Sequence, residues 1–231
     1  CVVWCARIEF FIGNRSLLFV FGIDIKIFIK SYWEYFLELE EQLIETKRFV
    51  EFDSENDKAY SIEYLKLYQA VCSEIDVVGK EIAVALNPSF EINNNTNIQK
   101  WGYEIQQAFP KIKNILVLFN DEISIQPFEN WEYEKHTKPD KNGIVRTTFA
   151  IKDGKDSIKW WSSYNKIKHR RIGLVEGTKN FQLANQKNLI NAFAALFVLE
   201  SLYIETFPEG AVTSRNKSRL FSLLPFVGVE V

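Results

Sequence analysis

Apolar positions recur every three or four residues along several stretches of the chain, a spacing that places them on one face of an α-helix. Residues 31–50, SYWEYFLELEEQLIETKRFV, combine this spacing with acidic residues early and basic residues late, an order that favours the helix dipole. Residues 61–86 predict a second long helix, ended by Asn87 and Pro88. Gly79 costs that helix about 1 kcal/mol relative to alanine. Its presence predicts that another element packs closely there.

The rest of the chain alternates between helix-like and strand-like patterns. A shorter helix is predicted after the cluster NNNT at 93–96 and through Phe109, and a final long helix from about Phe181 to Phe207. Between them, residues 112–150 contain short runs of β-branched and aromatic residues that predict two or three strands, with the polar stretch EKHTKPDKNG around His136 as a connecting loop. The predicted fold class is therefore mainly α, a bundle of long helices with a small antiparallel β insertion.

The two ends of the chain carry weaker patterns. Residues 1–30 are apolar, but charged residues divide them into runs far shorter than the ~20 residues that a membrane helix needs. The tail at 208–231 joins a basic segment, SRNKSRLF, to the apolar LLPFVGVEV, and is predicted to dock or to bind a partner. The expected organisation is an uncertain extension at 1–30, a helical domain at 31–207 with its β insertion at about 112–150, and a tail at 208–231.

Charge and cysteine content narrow the classes of function. The net charge of −2 gives no global attraction to nucleic acid or to an anionic membrane, so such binding would need a local basic patch. Cys1, Cys5 and Cys72 have neither metal-ligand spacing nor the density of a disulfide framework. We therefore expect a cytoplasmic protein without a metal, a small-molecule cofactor or a membrane segment.

The run WWSSYNKIKHRR at 160–171 is the best candidate for chemistry. On a helix, Trp161, Asn165 and His169 lie four residues apart and share one stripe. The neighbouring stripe is apolar and consists of Trp160, Tyr164 and Ile167. A histidine and an amide at the edge of a buried face indicate a specific role without fixing a reaction.

Carboxylates on the second long helix can complete such a site. Glu74 and Asp76 lie in the largely apolar segment VCSEIDVVGKEIAVAL. If the two helices are neighbours, one of these carboxylates can accept a hydrogen bond from His169 or Arg171 and favour the charged imidazole. The alternative is a polar network that only fixes the register of the helices.

The order of these features resembles the HEPN superfamily over about residues 31–206. Shared features are the long helices with an acidic cluster, a late helix with an Asn and His motif, and an alanine-rich amphipathic helix after it. The motif at 160–171 is also similar to that of uncharacterised bacterial proteins with a tryptophan followed by YNxxKHxR. For a HEPN ribonuclease, the resemblance implies an arginine and a histidine separated by four to six residues. The two residues would belong to a composite site across a dimer. Only His169 matches, because residues 162–164 are Ser, Ser and Tyr.

Three hypotheses follow. The first is a HEPN-like binding or regulatory protein with no assigned reaction, placed in bacterial defence or stress response by family analogy alone. The second is a metal-independent endoribonuclease with His169 as acid or base, oriented by Asn165, with Arg170 or Arg171 on the phosphate and Glu74 or Asp76 as support. The third is an RNA-binding protein with a basic patch. That patch consists of Lys166, Lys168, Arg170 and Arg171. Broad apolar faces and the segment 220–231 also predict a homodimer.

Overall fold

The computed structural model describes residues 25–175, 177–205 and 216–224. The fold of these residues combines helices and strands: it is 52% helical, with five helices and small antiparallel sheets. The predicted combination of long helices with small antiparallel strands is confirmed at that level. Residues 1–24, most of the predicted extension, lie outside the described residues, as do 206–215 and 225–231 of the tail.

The helices follow the apolar periodicity closely. The first runs from α1 through a π-helical turn into α2, and so begins before the predicted residue 31. The bounds are α1 Ile25–Phe28, π-helix Ile29–Trp33, α2 Glu34–Thr46, α3 Ile62–Leu86, α4 Ile98–Ala108, α5 Lys159–His169 and α6 Gln186–Glu205. Short 3-10 turns cover Ser54–Asn56, Ile112–Asn114 and Asn180–Leu183.

Side-chain caps explain the starts of three helices. The Ser61 hydroxyl accepts from the Tyr64 N–H at 3.0 Å and begins α3 where the sequence predicts it. Asn97 begins α4 in the same way. Asn185 accepts from the Asn188 N–H at 3.0 Å, so α6 begins five residues later than predicted, after a 3-10 turn.

The core lies where α6 packs along α3. Every residue from 192 to 200 is buried. Within the described residues, one helix, Gln186–Ile204, is long and apolar enough to cross a membrane, and 83% of that window is buried inside the fold. Its apolar character therefore has an explanation in the core.

Gly79 marks a close approach, as predicted. A Cβ atom there would lie 2.7 Å from the ring of Trp101 on α4. The absence of a side chain lets α4 pack directly on α3. The helix propensity lost at this position is therefore offset by packing.

Three small sheets occur among the described residues. The first has the order β2-β1-β7, from Ile123–Ile125, Val117–Phe119 and Phe221–Leu223. The second is a hairpin of β3, Tyr133–Pro139, with β4, Val145–Ile151. The third pairs β5, Leu174–Val175, with β6, Thr178–Lys179. All pairings are antiparallel.

The hairpin corrects one sequence-based expectation. The polar stretch around His136, predicted as a loop, forms β3, and His136 lies 3.1 Å from the carboxylate of Glu134. Most side chains of residues 135–148 are exposed on both faces of the hairpin. A strand with no covered face has no apolar alternation, so the pattern gave no signal for it.

The described part of the tail is docked on the helical body. β7 pairs with β1, and the ring of Phe221 packs against Phe36, Phe119, Phe193 and Phe197. Glu40 of α2 is only 2% exposed. Its carboxylate accepts from the backbone N–H groups of Arg219 and Leu220, each at 3.0 Å, and from the Ser218 hydroxyl. Residues 216–224 are thus an integral part of the fold.

Candidate functional site

Helix α5 is anchored by its apolar stripe, as predicted. Trp160, Tyr164 and Ile167 are 3%, 7% and 1% exposed. The Trp160 indole donates to the Pro127 carbonyl at 2.8 Å, and the Tyr68 hydroxyl of α3 donates to the Trp160 carbonyl. Burial first, and then the nearby Cys72 and Asp76, raise the pKa of Tyr164 to about 12. The buried side of α5 is therefore fixed and un-ionised at neutral pH.

The other stripe of α5 opens on a groove of about 470 Å³, which we call the α5 groove. Trp161, Asn165 and His169 line it together, as their spacing predicts. The facing wall comes from the first turn of α4 and the base of the hairpin. The full lining is Ile98, Gln99, Tyr133, Ile151, Ser157, Ile158, Trp161, Ser162, Asn165, Lys166, His169, Arg170 and Asn180.

Positive charge is concentrated at the carboxyl end of the groove. Lys166, His169 and Arg170 line it, are exposed, and have no carboxylate partner among the described residues. Lys168 and Arg171, which belong to the predicted basic patch, do not line the groove. Lys168 lies 5.7 Å from the Tyr164 ring, and Arg171 donates to the Gln69 side chain at 3.4 Å.

Asn180 holds this end of the helix in place. It is 5% exposed, and its amide donates to the carbonyls of Lys166 at 3.1 Å and Arg170 at 2.7 Å. The Lys166 carbonyl also accepts from the Arg170 N–H at 3.0 Å, and the Arg170 carbonyl from the Gly173 N–H at 2.9 Å. Asn180 thus adds a second donor to each carbonyl at the end of α5. A Cβ on Gly173 would lie 2.8 Å from the Asn180 amide nitrogen. The glycine therefore lets the amide reach the helix end.

The two acidic candidates of α3 do not line the groove. Asp76 accepts from the Trp101 indole at 3.0 Å and pairs with Lys80. Glu74 is half-buried, and burial raises the pKa of its carboxyl. Neither carboxylate is hydrogen-bonded to His169 or Arg171 in the part of the chain that the structure describes. The structure thus brings together His169, Asn165, Lys166 and Arg170, and leaves Glu74, Asp76, Lys168 and Arg171 outside the groove.

The groove offers no evident metal site. Across the described ranges, no group of three or more His, Cys, Asp or Glu side chains is placed to hold a metal ion. Cys72 is fully buried, and burial raises the pKa of its thiol well above the ordinary value. A buried thiol of this kind is chemically inert.

Sequence reasoning missed the wall opposite α5 and the role of Asn180. Ile98, Gln99, Tyr133 and Ile151 belong to elements remote in sequence. Periodicity within one segment carries no information on which distant segment faces it. The sequence predicts Gly173 as the end of the helix that carries this motif, but α5 ends at His169, and the glycine instead admits the Asn180 amide.

Comparison with protein-family models, with curated proteins and with solved structures found no match to this chain. The function proposed next therefore depends on the geometry of the α5 groove.

Proposed function

We propose that this chain is a binding protein and that its ligand is single-stranded RNA, held in the α5 groove. The observation that carries the proposal is the pair of cations Lys166 and Arg170, with the His169 imidazole beside them, at one end of the groove and without a carboxylate partner among the described residues. Phosphate contacts of this kind supply most of the affinity for nucleic acid. The exposed edge of the groove is therefore the position for the RNA backbone.

The rest of the lining suits a nucleoside. Trp161 is half-buried and offers part of an aromatic surface for a base, next to the aliphatic wall of Ile151 and Ile158. The hydroxyl of Ser162 and the amide of Asn165 are available for a ribose 2′-hydroxyl, the group that distinguishes RNA from DNA. A volume of about 470 Å³ is within the usual size of a small-ligand site.

The wider proposal is a HEPN-like helical protein with a regulatory role in bacterial defence or stress response. Its support is the resemblance in sequence together with the packing of α5 against the long helices α3 and α6. A homodimer belongs to the same proposal, because the resemblance implies a composite site across two copies.

Direct binding tests the proposal. The double variant Lys166→Gln/Arg170→Gln is expected to bind fluorescent single-stranded RNA at least tenfold more weakly at low salt. A tenfold loss of affinity corresponds to about 1.4 kcal/mol of binding free energy. Lys58→Gln/Lys141→Gln removes the same charge outside the groove and serves as the control. Equal losses in both variants, or none in either, would contradict a specific site.

A second candidate function, a metal-independent endoribonuclease, is favoured by one observation: His169 and Arg170 line the same groove. In this version His169 takes the proton of the 2′-hydroxyl and the 2′ oxygen attacks the adjacent phosphorus. The bond to the 5′ oxygen breaks, and water supplies its proton, leaving a 2′,3′-cyclic phosphate and a 5′-hydroxyl. Arg170 stabilises the charged phosphorane. Asp76 and Arg171 take no part, because their contacts lie elsewhere, and Glu74 does not line the groove.

Cleavage assays separate the two functions. If the chain is a nuclease, His169→Ala in the presence of a chelator should stop cleavage while RNA affinity falls by less than tenfold. If the chain only binds RNA, the wild-type protein leaves the RNA intact. Cleavage that persists in His169→Ala would remove the histidine from any mechanism.

A further inference from the structure

A second and larger cleft lies beside the α5 groove. It has a volume of about 840 Å³ and is formed by the segment 87–97, α4 and the hairpin. We call it the amide cleft, because four asparagines line it. The full lining is Asn87, Ser89, Phe90, Glu91, Asn93, Asn95, Asn97, Lys100, Glu104, Lys135, Thr147, Thr148 and Phe149.

The register of the hairpin places the two sites next to each other. The cross-strand pair Tyr133 and Ile151 lines the α5 groove. The next pair on the same face, Lys135 and Phe149, lines the amide cleft. These pairs are two residues apart along each strand, about 7 Å. The ring of Tyr103 on α4 packs on Phe149 with 5.4 Å between centroids, so α4 lies on this face of the hairpin with the groove and the cleft on either side of it.

The first turn of α4 lies between the two sites. Ile98 and Gln99 line the α5 groove, whereas Asn97 and Lys100 line the amide cleft. Successive residues of a helix are rotated by about 100°, so these two pairs point to opposite faces of α4. An RNA strand that passes the amino-terminal end of α4 can therefore reach both sites.

The chemistry of the cleft differs from that of the groove. Its two lysines are balanced by two glutamates, so the cleft carries no net positive charge. Asn93 and Asn97 accept backbone N–H groups with their side-chain oxygens, at 2.9 and 3.1 Å. Their amide NH₂ groups remain as donors. Neutral amides and hydroxyls suit the edges of bases better than they suit phosphates.

We infer that the amide cleft reads the bases of the RNA whose backbone is held in the α5 groove. This inference rests on the proposed function. The cations of the groove supply affinity without regard to sequence, and the amides and hydroxyls of the cleft supply preference among bases. Asn95 and Thr147 are the clearest reading residues, because both are exposed and line the cleft.

The test compares short oligo(A), oligo(C) and oligo(U) RNA binding to the full chain. The wild-type protein is expected to prefer one of them by about tenfold, the discrimination typical of one good base contact. Asn95→Ala/Thr147→Val should reduce that preference to less than threefold without changing the salt dependence of binding. Asn130→Ala/Thr178→Val is the matched control, since neither residue lines the groove or the cleft.

The outcomes separate this inference from the proposed function. Equal binding of all three RNAs by the wild-type protein, or a preference that persists in Asn95→Ala/Thr147→Val, overturns the reading role. RNA binding that still depends on Lys166 and Arg170 then leaves the proposed function standing. If the wild-type protein binds no RNA, both the function and the inference are wrong.

Discussion

The docked tail and the carboxyl end of α5 use charge in opposite ways. At the tail, the buried carboxylate of Glu40 accepts hydrogen bonds from three consecutive residues, Ser218, Arg219 and Leu220. At α5, Lys166, His169 and Arg170 line an open groove and have no carboxylate partner among the described residues. A charge with all its partners inside the fold stabilises the fold, whereas a cluster of unpaired charges in a groove is available to a ligand.

The largest expected effect comes from removing the buried carboxylate. Glu40→Ala leaves two partly buried N–H groups and a hydroxyl without their acceptor and is expected to reduce the free energy of unfolding by about 3 kcal/mol. Urea unfolding measures this loss. The exposed neighbour Glu41, paired with Arg219, is the control, and Glu41→Ala should cost less than about 1 kcal/mol. Equal costs for the two variants would remove the contrast between the regions.

A smaller loss is expected at the amide that supports α5. Asn180→Ala deletes two hydrogen bonds to the last turn of the helix and should cost about 1–2 kcal/mol. RNA affinity should fall as well, because the carbonyls that Asn180 holds belong to Lys166 and Arg170. Asn191→Ala, which removes one amide bond within α6, is the control for stability and should leave binding unchanged. Full RNA affinity in Asn180→Ala would show that the groove does not need this support.

Replacing Glu74 by a neutral side chain is expected to increase the free energy of unfolding slightly. Burial raises the pKa of its carboxyl, so folding favours the protonated form. That stabilisation is present below the unfolded-state pKa and is lost as the pH rises through the raised folded-state pKa. Glu74→Gln should therefore match the wild type in acid and be more stable at neutral pH, by under about 1 kcal/mol for this partly exposed group.

Unfolding measured from pH 3 to 8 checks the Glu74 prediction, with the exposed Glu45→Gln as control. If the free energy of unfolding depends on pH in the same way for the wild type and Glu74→Gln, the pKa of this carboxyl is not raised by folding.

The smallest effect on folding is expected at the groove. Lys166→Gln/Arg170→Gln should change the free energy of unfolding by less than about 0.5 kcal/mol, since exposed charges without partners contribute little. The same variant should bind RNA poorly. A large loss of stability would mean that these cations serve the fold, and the comparison with Glu40 would no longer hold.

Local signals in the sequence were sufficient for part of the fold. The apolar periodicity from Ser61 and the stop at Asn87 gave α3 nearly its observed bounds, and Gly79 correctly indicated the close approach of another element, Trp101 of α4. The stripe of Trp161, Asn165 and His169 gave the α5 side of the groove. These features depend on neighbours three or four residues away, which periodicity detects.

Features built from distant segments could not be predicted in this way. Glu40 meets residues about 180 positions later, and its burial has no signature within α2. Beyond Tyr133, most of strand β3 is exposed on both faces and so lacks apolar alternation. The proposed coupling of Glu74 or Asp76 to His169 assumed which faces of two helices meet, and the observed partners of Asp76 are Trp101 and Lys80.

The salt dependence of single-stranded RNA binding tests the central claim most directly. If the cations of the α5 groove hold the RNA backbone, the affinity of the wild-type protein falls steeply as salt rises. In Lys166→Gln/Arg170→Gln the slope of log affinity against log salt should be shallower by about 1.4, roughly 0.7 for each lost phosphate contact on a single strand. An affinity that is indifferent to salt, or a slope unchanged in the double variant, would contradict the account.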